Sequence, residues 1–76
     1  MTKKEKKQLK EIINHIENIQ ADVSLAIMQE QGRLDDIGCS PSQFDRALKL
    51  EDNIDNLENA ETSLGEAITA LEKIVE

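Results

Sequence analysis

The chain has 76 residues, a mass of 8.5 kDa, 9 basic and 16 acidic side chains, a formal charge of −7 and a pI near 4.6. One cysteine and one histidine exclude a disulfide framework and a standard zinc site, and 3 glycines with 1 proline are too few for the turns of a β-sandwich or a βαβ fold. A single small domain remains, with a core worth only a few kcal/mol, so the chain calls for staples or partners.

The charge is divided along the chain. Residues 1–10 hold five lysines and one glutamate, a formal +4, whereas residues 11–76 hold four basic and fifteen acidic residues, a formal −11. No apolar run follows the basic start, so a signal peptide and a membrane span are both unexpected. A lone thiol suits a reducing cytoplasm. An acidic body repels nucleic acid and suits solubility, a basic protein partner or mimicry of a phosphate backbone.

The first predicted helix covers about residues 3–31. Apolar residues recur at Leu9, Ile12, Ile13, Ile16, Ile19, Val23, Ala26 and Ile27, in steps that place them on one helical stripe. His15 is read as lying within that stripe. Thr2 followed by Glu5 forms a possible capping box, while the lysines of the first turn oppose the helix dipole, so fraying is expected before about Lys7. Gly32 is a plausible stop, although the stretch Arg33-Leu34-Asp35-Asp36-Ile37 could carry the helix on to Gly38.

The connection is placed at about 32–40 and ends in a strong start signal. Ser40 is a candidate N-cap, Pro41 takes the first helical position, Gln43 closes a capping box, and Cys39 with Phe44 forms a hydrophobic staple. This also gives the cysteine a packing role, since His15, the only imidazole, belongs to the other helix.

The second predicted helix covers about 41–75. Leu50, Leu57, Leu64 and Leu71 recur every seven residues, with Ala47, Ile54, Ile68 and Val75 at the complementary positions. Such spacing specifies left-handed coiled-coil packing. Glu61 interrupts the series. It either faces a gap or basic partner that fixes register or, the simpler reading, lies near the end of the bundle and reaches water. Gly65 costs the helix about 1 kcal/mol relative to alanine but allows close approach beside Ala60 and Ala67.

The expected fold is all-α, an antiparallel two-helix hairpin with coiled-coil packing. At 1.5 Å per residue its helices are roughly 40 and 50 Å long. Apolar residues beyond the seam (Ala60, Ala67 and Ile74 on one helix, Ile13 and Ile27 on the other) exceed what one partner helix can bury, so a homodimer completing a four-helix bundle is expected. Its interface is assigned to Ile12, Ile16, Ile19, Val23, Leu50, Ile54, Leu57, Leu64, Ile68 and Leu71.

No phosphate-binding glycine loop, zinc-protease, dithiol or nucleophile-elbow motif occurs, and no Glu-x-x-His pair could serve a di-metal bundle. The leucine repeat lacks an adjoining basic region, so a zipper transcription factor is rejected. No cofactor, metal or catalytic residue is expected, and the chain is read as a non-enzymatic module. An alternative gives the start a function: Lys3, Lys4, Lys6, Lys7 and Lys10, gathered by oligomerisation, would hold the phosphates of a ligand such as a signalling nucleotide.

The words Glu30-Gln31, Ser40-Pro41-Ser42-Gln43, Leu50-Glu51-Asp52-Asn53-Ile54-Asp55-Asn56-Leu57-Glu58, Leu64-Gly65-Glu66-Ala67-Ile68 and Leu71-Glu72 resemble those of small acidic two-helix proteins encoded by Gram-positive bacteriophages and prophages. The resemblance covers nearly the whole chain and transfers no site residues. It implies a phage or mobile-element origin, action in the host cytoplasm and an accessory role, with a host or phage protein as partner. One such role is anti-defence, either as an acidic decoy for a nucleic-acid-binding protein or as a sponge for a phosphorylated nucleotide.

Overall fold

The computed structural model describes residues 1–37 and 41–76, and within them the chain forms helix α1, Lys3–Ile37, a short 3-10 turn, Pro41–Gln43, and helix α2, Phe44–Val75. The helices pack antiparallel as a rod whose Cα extents are 59 × 14 × 12 Å. This is the all-α hairpin that the apolar spacing predicts.

The start of α1 is fixed by its cap. The Thr2 hydroxyl accepts a bond from the Glu5 backbone N–H at 3.1 Å, while the Glu5 carboxylate accepts from the Thr2 N–H at 3.3 Å and from its hydroxyl at 3.0 Å. These reciprocal bonds satisfy donors that a helix start leaves open, and the helix begins at Lys3 despite its lysines.

The other end of α1 corrects the boundary expected near residue 31. The helix runs through Gly32 to Ile37, the second of the two endings that the sequence leaves open. Leu34 and Ile37 are half-buried against α2. Covering two aliphatic side chains outweighs the roughly 1 kcal/mol that an interior glycine costs.

At the head of α2, Gln43 stands at the N-cap and makes no side-chain bond as a cap, a place different from its expected role as the closing partner of Ser40 in a capping box. Cys39 and Ser40, its other predicted members, lie outside the described residues, and Phe44 is 62% exposed.

The seam follows one rule in both helices. On α1 the seam runs Lys6, Leu9, Ile13, Ile16, Gln20, Val23, Ile27, Glu30, Leu34 and Ile37, and from the 3-10 turn into α2 it runs Gln43, Ala47, Leu50, Ile54, Leu57, Glu61, Leu64, Ile68, Leu71 and Val75; Ser24, Ala26, Asn53 and Gly65 are half-buried beside it. Steps of three and four alternate without a break, which is the pattern of two helices in coiled-coil contact. Five residues form the core: Ile13, Ile27, Leu50, Ile54 and Ile68, with 6–8% of their surface exposed. Among the described residues no side chain falls below 2% exposure. Two helices cover a seam but do not enclose it.

This geometry separates inward from outward positions energetically. Ile54→Ala should cost about 2–4 kcal/mol, whereas Asp55→Ala should stay within about 0.5 kcal/mol, as read from urea unfolding followed by helical circular dichroism.

The two helical glycines should also part company. A Cβ at Gly32 meets nothing within 4 Å, so Gly32→Ala should stabilise by about 0.5–1 kcal/mol. A Cβ at Gly65 would stand 3.3 Å from the Gln20 amide nitrogen, so Gly65→Ala should gain less than Gly32→Ala in the same urea series.

Candidate functional site

Two features of the hairpin are not explained by simple core formation: polar residues on the seam, and a pronounced difference between its two flanks. The polar residues pair with one another. The Ser24 hydroxyl donates to the Glu61 carboxylate, and the Gln20 side-chain amide donates to the Glu61 backbone carbonyl at 3.3 Å. Glu61 is half-buried well inside α2. The simpler expectation, a bundle-end residue reaching water, is therefore corrected; nor is its partner basic. A serine hydroxyl accommodates its carboxylate, and the Gln20 amide lies over Gly65.

A second polar pair lies nearer the closed end. The Asn53 amide donates to Glu30 at 3.2 Å, and Arg33, one turn along α1, forms an ion pair with the same carboxylate. The Asn53 hydrogen bond first, and the Arg33 guanidinium second, hold the Glu30 carboxyl below its ordinary pKa against an opposing desolvation.

The flanks are defined by the grooves that run beside the seam. One groove is lined by Ala26, Gln29, Glu30, Arg33, Asn53, Asn56 and Leu57. Stepping by sevens from Ala26 reaches Ile19 and Ile12, and from Asn53 reaches Ala60, Ala67 and Ile74, so these residues share that flank. Ile12, Ile19 and Ile74 are 48, 38 and 48% exposed, and Ala60 and Ala67 are exposed as well. Between Asn53 and Ile74, α2 shows this flank only Asn56, Ala60, Ser63, Ala67 and Ala70, without a charge.

The opposite groove is lined by Gln31, Leu34, Asp35, Glu51, Ile54 and Asp55. The same stepping adds Glu58 and Glu72 from Glu51, and Glu76 from Asp55. The apolar flank is thus uncharged along α2 between Asn53 and Ile74 and carries the exposed isoleucines, while the other flank is acidic along α2 and receives Lys3, Lys7 and Lys10 from α1 by the same stepping.

The predicted interface residues divide accordingly. Ile16, Val23, Leu50, Ile54, Leu57, Leu64, Ile68 and Leu71 lie on the hairpin's own seam, whereas Ile12 and Ile19 stand off it on the apolar flank. Ile13 and Ile27, read as surplus, are core. His15 is exposed and not part of the covered stripe. The error has a clear source: Gln20 and Glu30 belong to the seam but are polar, and only a count of three-four steps, indifferent to polarity, places them there.

Lys3, Lys4, Lys7 and Lys10 are exposed and Lys6 is half-buried where the seam begins. Among the described residues none of these lysines forms an ion pair, and no three His, Cys, Asp or Glu side chains group as metal ligands. Among the described residues no helix is long and apolar enough to cross a membrane. Comparison with known protein families, curated proteins and solved structures finds no match to this chain.

The Glu30 cluster yields a pH prediction. A carboxyl whose folded pKa is lowered contributes stability that is present above its unfolded pKa and lost as pH falls through the folded value. Asn53→Ala removes the leading cause, so the variant's Tm should fall less steeply than the parent's as pH is lowered through the carboxylate range. Parallel thermal melts in matched buffers measure the difference.

Proposed function

We propose that the chain is a non-enzymatic helical self-association and protein-interaction module, in which the apolar flank receives a second copy and completes a four-helix bundle. The observation that carries this reading is the exposure of Ile12, Ile19 and Ile74 in line with Ala60 and Ala67, beside a seam that two helices cover but do not enclose. Isolated surface isoleucines need no explanation, but a stripe in register over both helices is the mark of a docking face. The acidic flank would then face outward and be available to a host or phage protein. An accessory role in the cytoplasm, as the resemblance to phage-encoded proteins implies, fits such a module.

The charge division supports a second reading. Five lysines without ion-pair partners among the described residues offer ammonium groups to phosphate, so an oligomer could hold a phosphorylated ligand at its ends. Thermal-shift measurements against nucleotides test it, and no shift would leave only the acidic-decoy form.

The leading reading predicts a solution mass at least twice 8.5 kDa at micromolar concentration by light scattering. Ile12→Glu combined with Ile74→Glu should return the single-chain mass while the spectrum stays helical. A parent chain that runs as a clean monomer would sink the proposal.

A further inference from the structure

The apolar flank also carries information about how a second copy would lie on it. Two two-fold arrangements bury the flank. In one, the closed ends of both hairpins lie together and α1 stacks on α2 of the second copy. In the other, the hairpins run head to tail and α1 stacks on its own counterpart.

Charge separates the two. The open end combines residues 1–10, at a formal +4, with residues 71–76, which hold two glutamates and one lysine, for a net +3. The closed end, from Glu30 to Asp55, holds seven acidic and three basic residues, a net −4. Bringing closed ends together sets −4 against −4 and +3 against +3. On the flank itself it also sets Arg33 of each copy beside Arg46 of the other, two residues that line one groove at that end with Asp36. Head-to-tail stacking places each end against its opposite.

The register of α1 against itself agrees. With the two-fold axis at Ile19, the midpoint of the exposed stripe, positions whose numbers sum to 37 or 38 face each other. Ile12 then meets the second copy's Ala26, His15 meets its Asp22, and Glu5 meets its Arg33. Ile12 meets a small residue, Ile19 meets its own copy, and Glu5 with Arg33 joins opposite signs. On α2 the facing side chains are no larger than serine from Ala60 to Ala70, which permits close helix approach. A face of 59 by 14 Å offers roughly 800 Å² per copy, the area that one side of a stable interface uses.

We propose that two copies dock head to tail through the flank carrying Ile12, Ile19 and Ala67, with α1 antiparallel to α1 about Ile19. This rests on the self-association reading above, and the experiment separates the two. A nitroxide is attached at Gln8→Cys in a Cys39→Ser chain of confirmed helicity and mass, and the distance between labels is measured by pulsed electron paramagnetic resonance. Head-to-tail docking puts 22 residues of rise between the labels, about 35 Å with the helix spacing, at 1.5 Å per residue. In a second chain, Ile19→Cys with Cys39→Ser should oxidise readily to a linked dimer, whereas Glu17→Cys, on the other flank, should not. A dimer with labels at about 20 Å or less overturns the orientation. A dimer with long distances in which Glu17→Cys links and Ile19→Cys does not overturns the choice of flank. A single-chain mass overturns self-association itself, and with it this proposal.

Discussion

Everything in this hairpin depends on one seam. Two helices in contact share a single line of alternating three- and four-residue steps, and each residue on it is covered from one side only. The consequence is visible in the core, where the best-covered side chain, Ile13, retains 6% of its exposure. A third or fourth helix would close the seam, and the chain has no further helix among its described residues to supply one. The proposed association would answer this geometric property of the hairpin.

The polar residues on that seam act on register more than on stability. Burying a carboxylate is costly, and well-packed apolar residues in its place are often neutral or better. What Glu61 adds is a condition: its carboxylate meets Ser24, and its backbone carbonyl meets Gln20, at one alignment of the helices. Sliding by a heptad would leave these groups unpaired next to isoleucine. Asn53 and Glu30 impose the same alignment nearer the closed end. A seam built only of leucine and isoleucine would tolerate such slips, as polar seam residues in coiled coils show.

How much of this was legible depends on how far polarity follows position. α2 was legible because Leu50, Leu57, Leu64 and Leu71 mark every heptad with the same apolar residue. α1 was legible in part: Leu9, Ile13, Ile16, Val23 and Ile27 lie on its seam as their spacing predicts, but Gln20 and Glu30 stand there too while Ile12 and Ile19 stand off it, so hydrophobicity alone draws the stripe too wide. Gly32 misled for a related reason. Local propensity favours a stop there, but Leu34 and Ile37 bury against α2 and continue the helix, a tertiary effect that no local signal carries. The Thr2–Glu5 cap was legible because all its partners lie within one turn. The Ser24–Glu61 pairing spans 37 residues and requires the antiparallel register to be known first.

The difference between the flanks also bears on why association would stop. A hairpin with apolar faces on both sides would add copies indefinitely, since each new copy would present another face. Here the second flank carries Glu51, Asp55, Glu58, Glu72 and Glu76 along α2, with Glu17 and Asp35 against Lys3, Lys7 and Lys10 along α1, so two such flanks bring together like net charge. In the proposed dimer both apolar flanks are turned inward and both acidic flanks outward. The two-fold axis closes the assembly, and the charge prevents stacking beyond it. The same carboxylates that make the chain acidic would thus set the size of the assembly as well as the surface it offers to a partner.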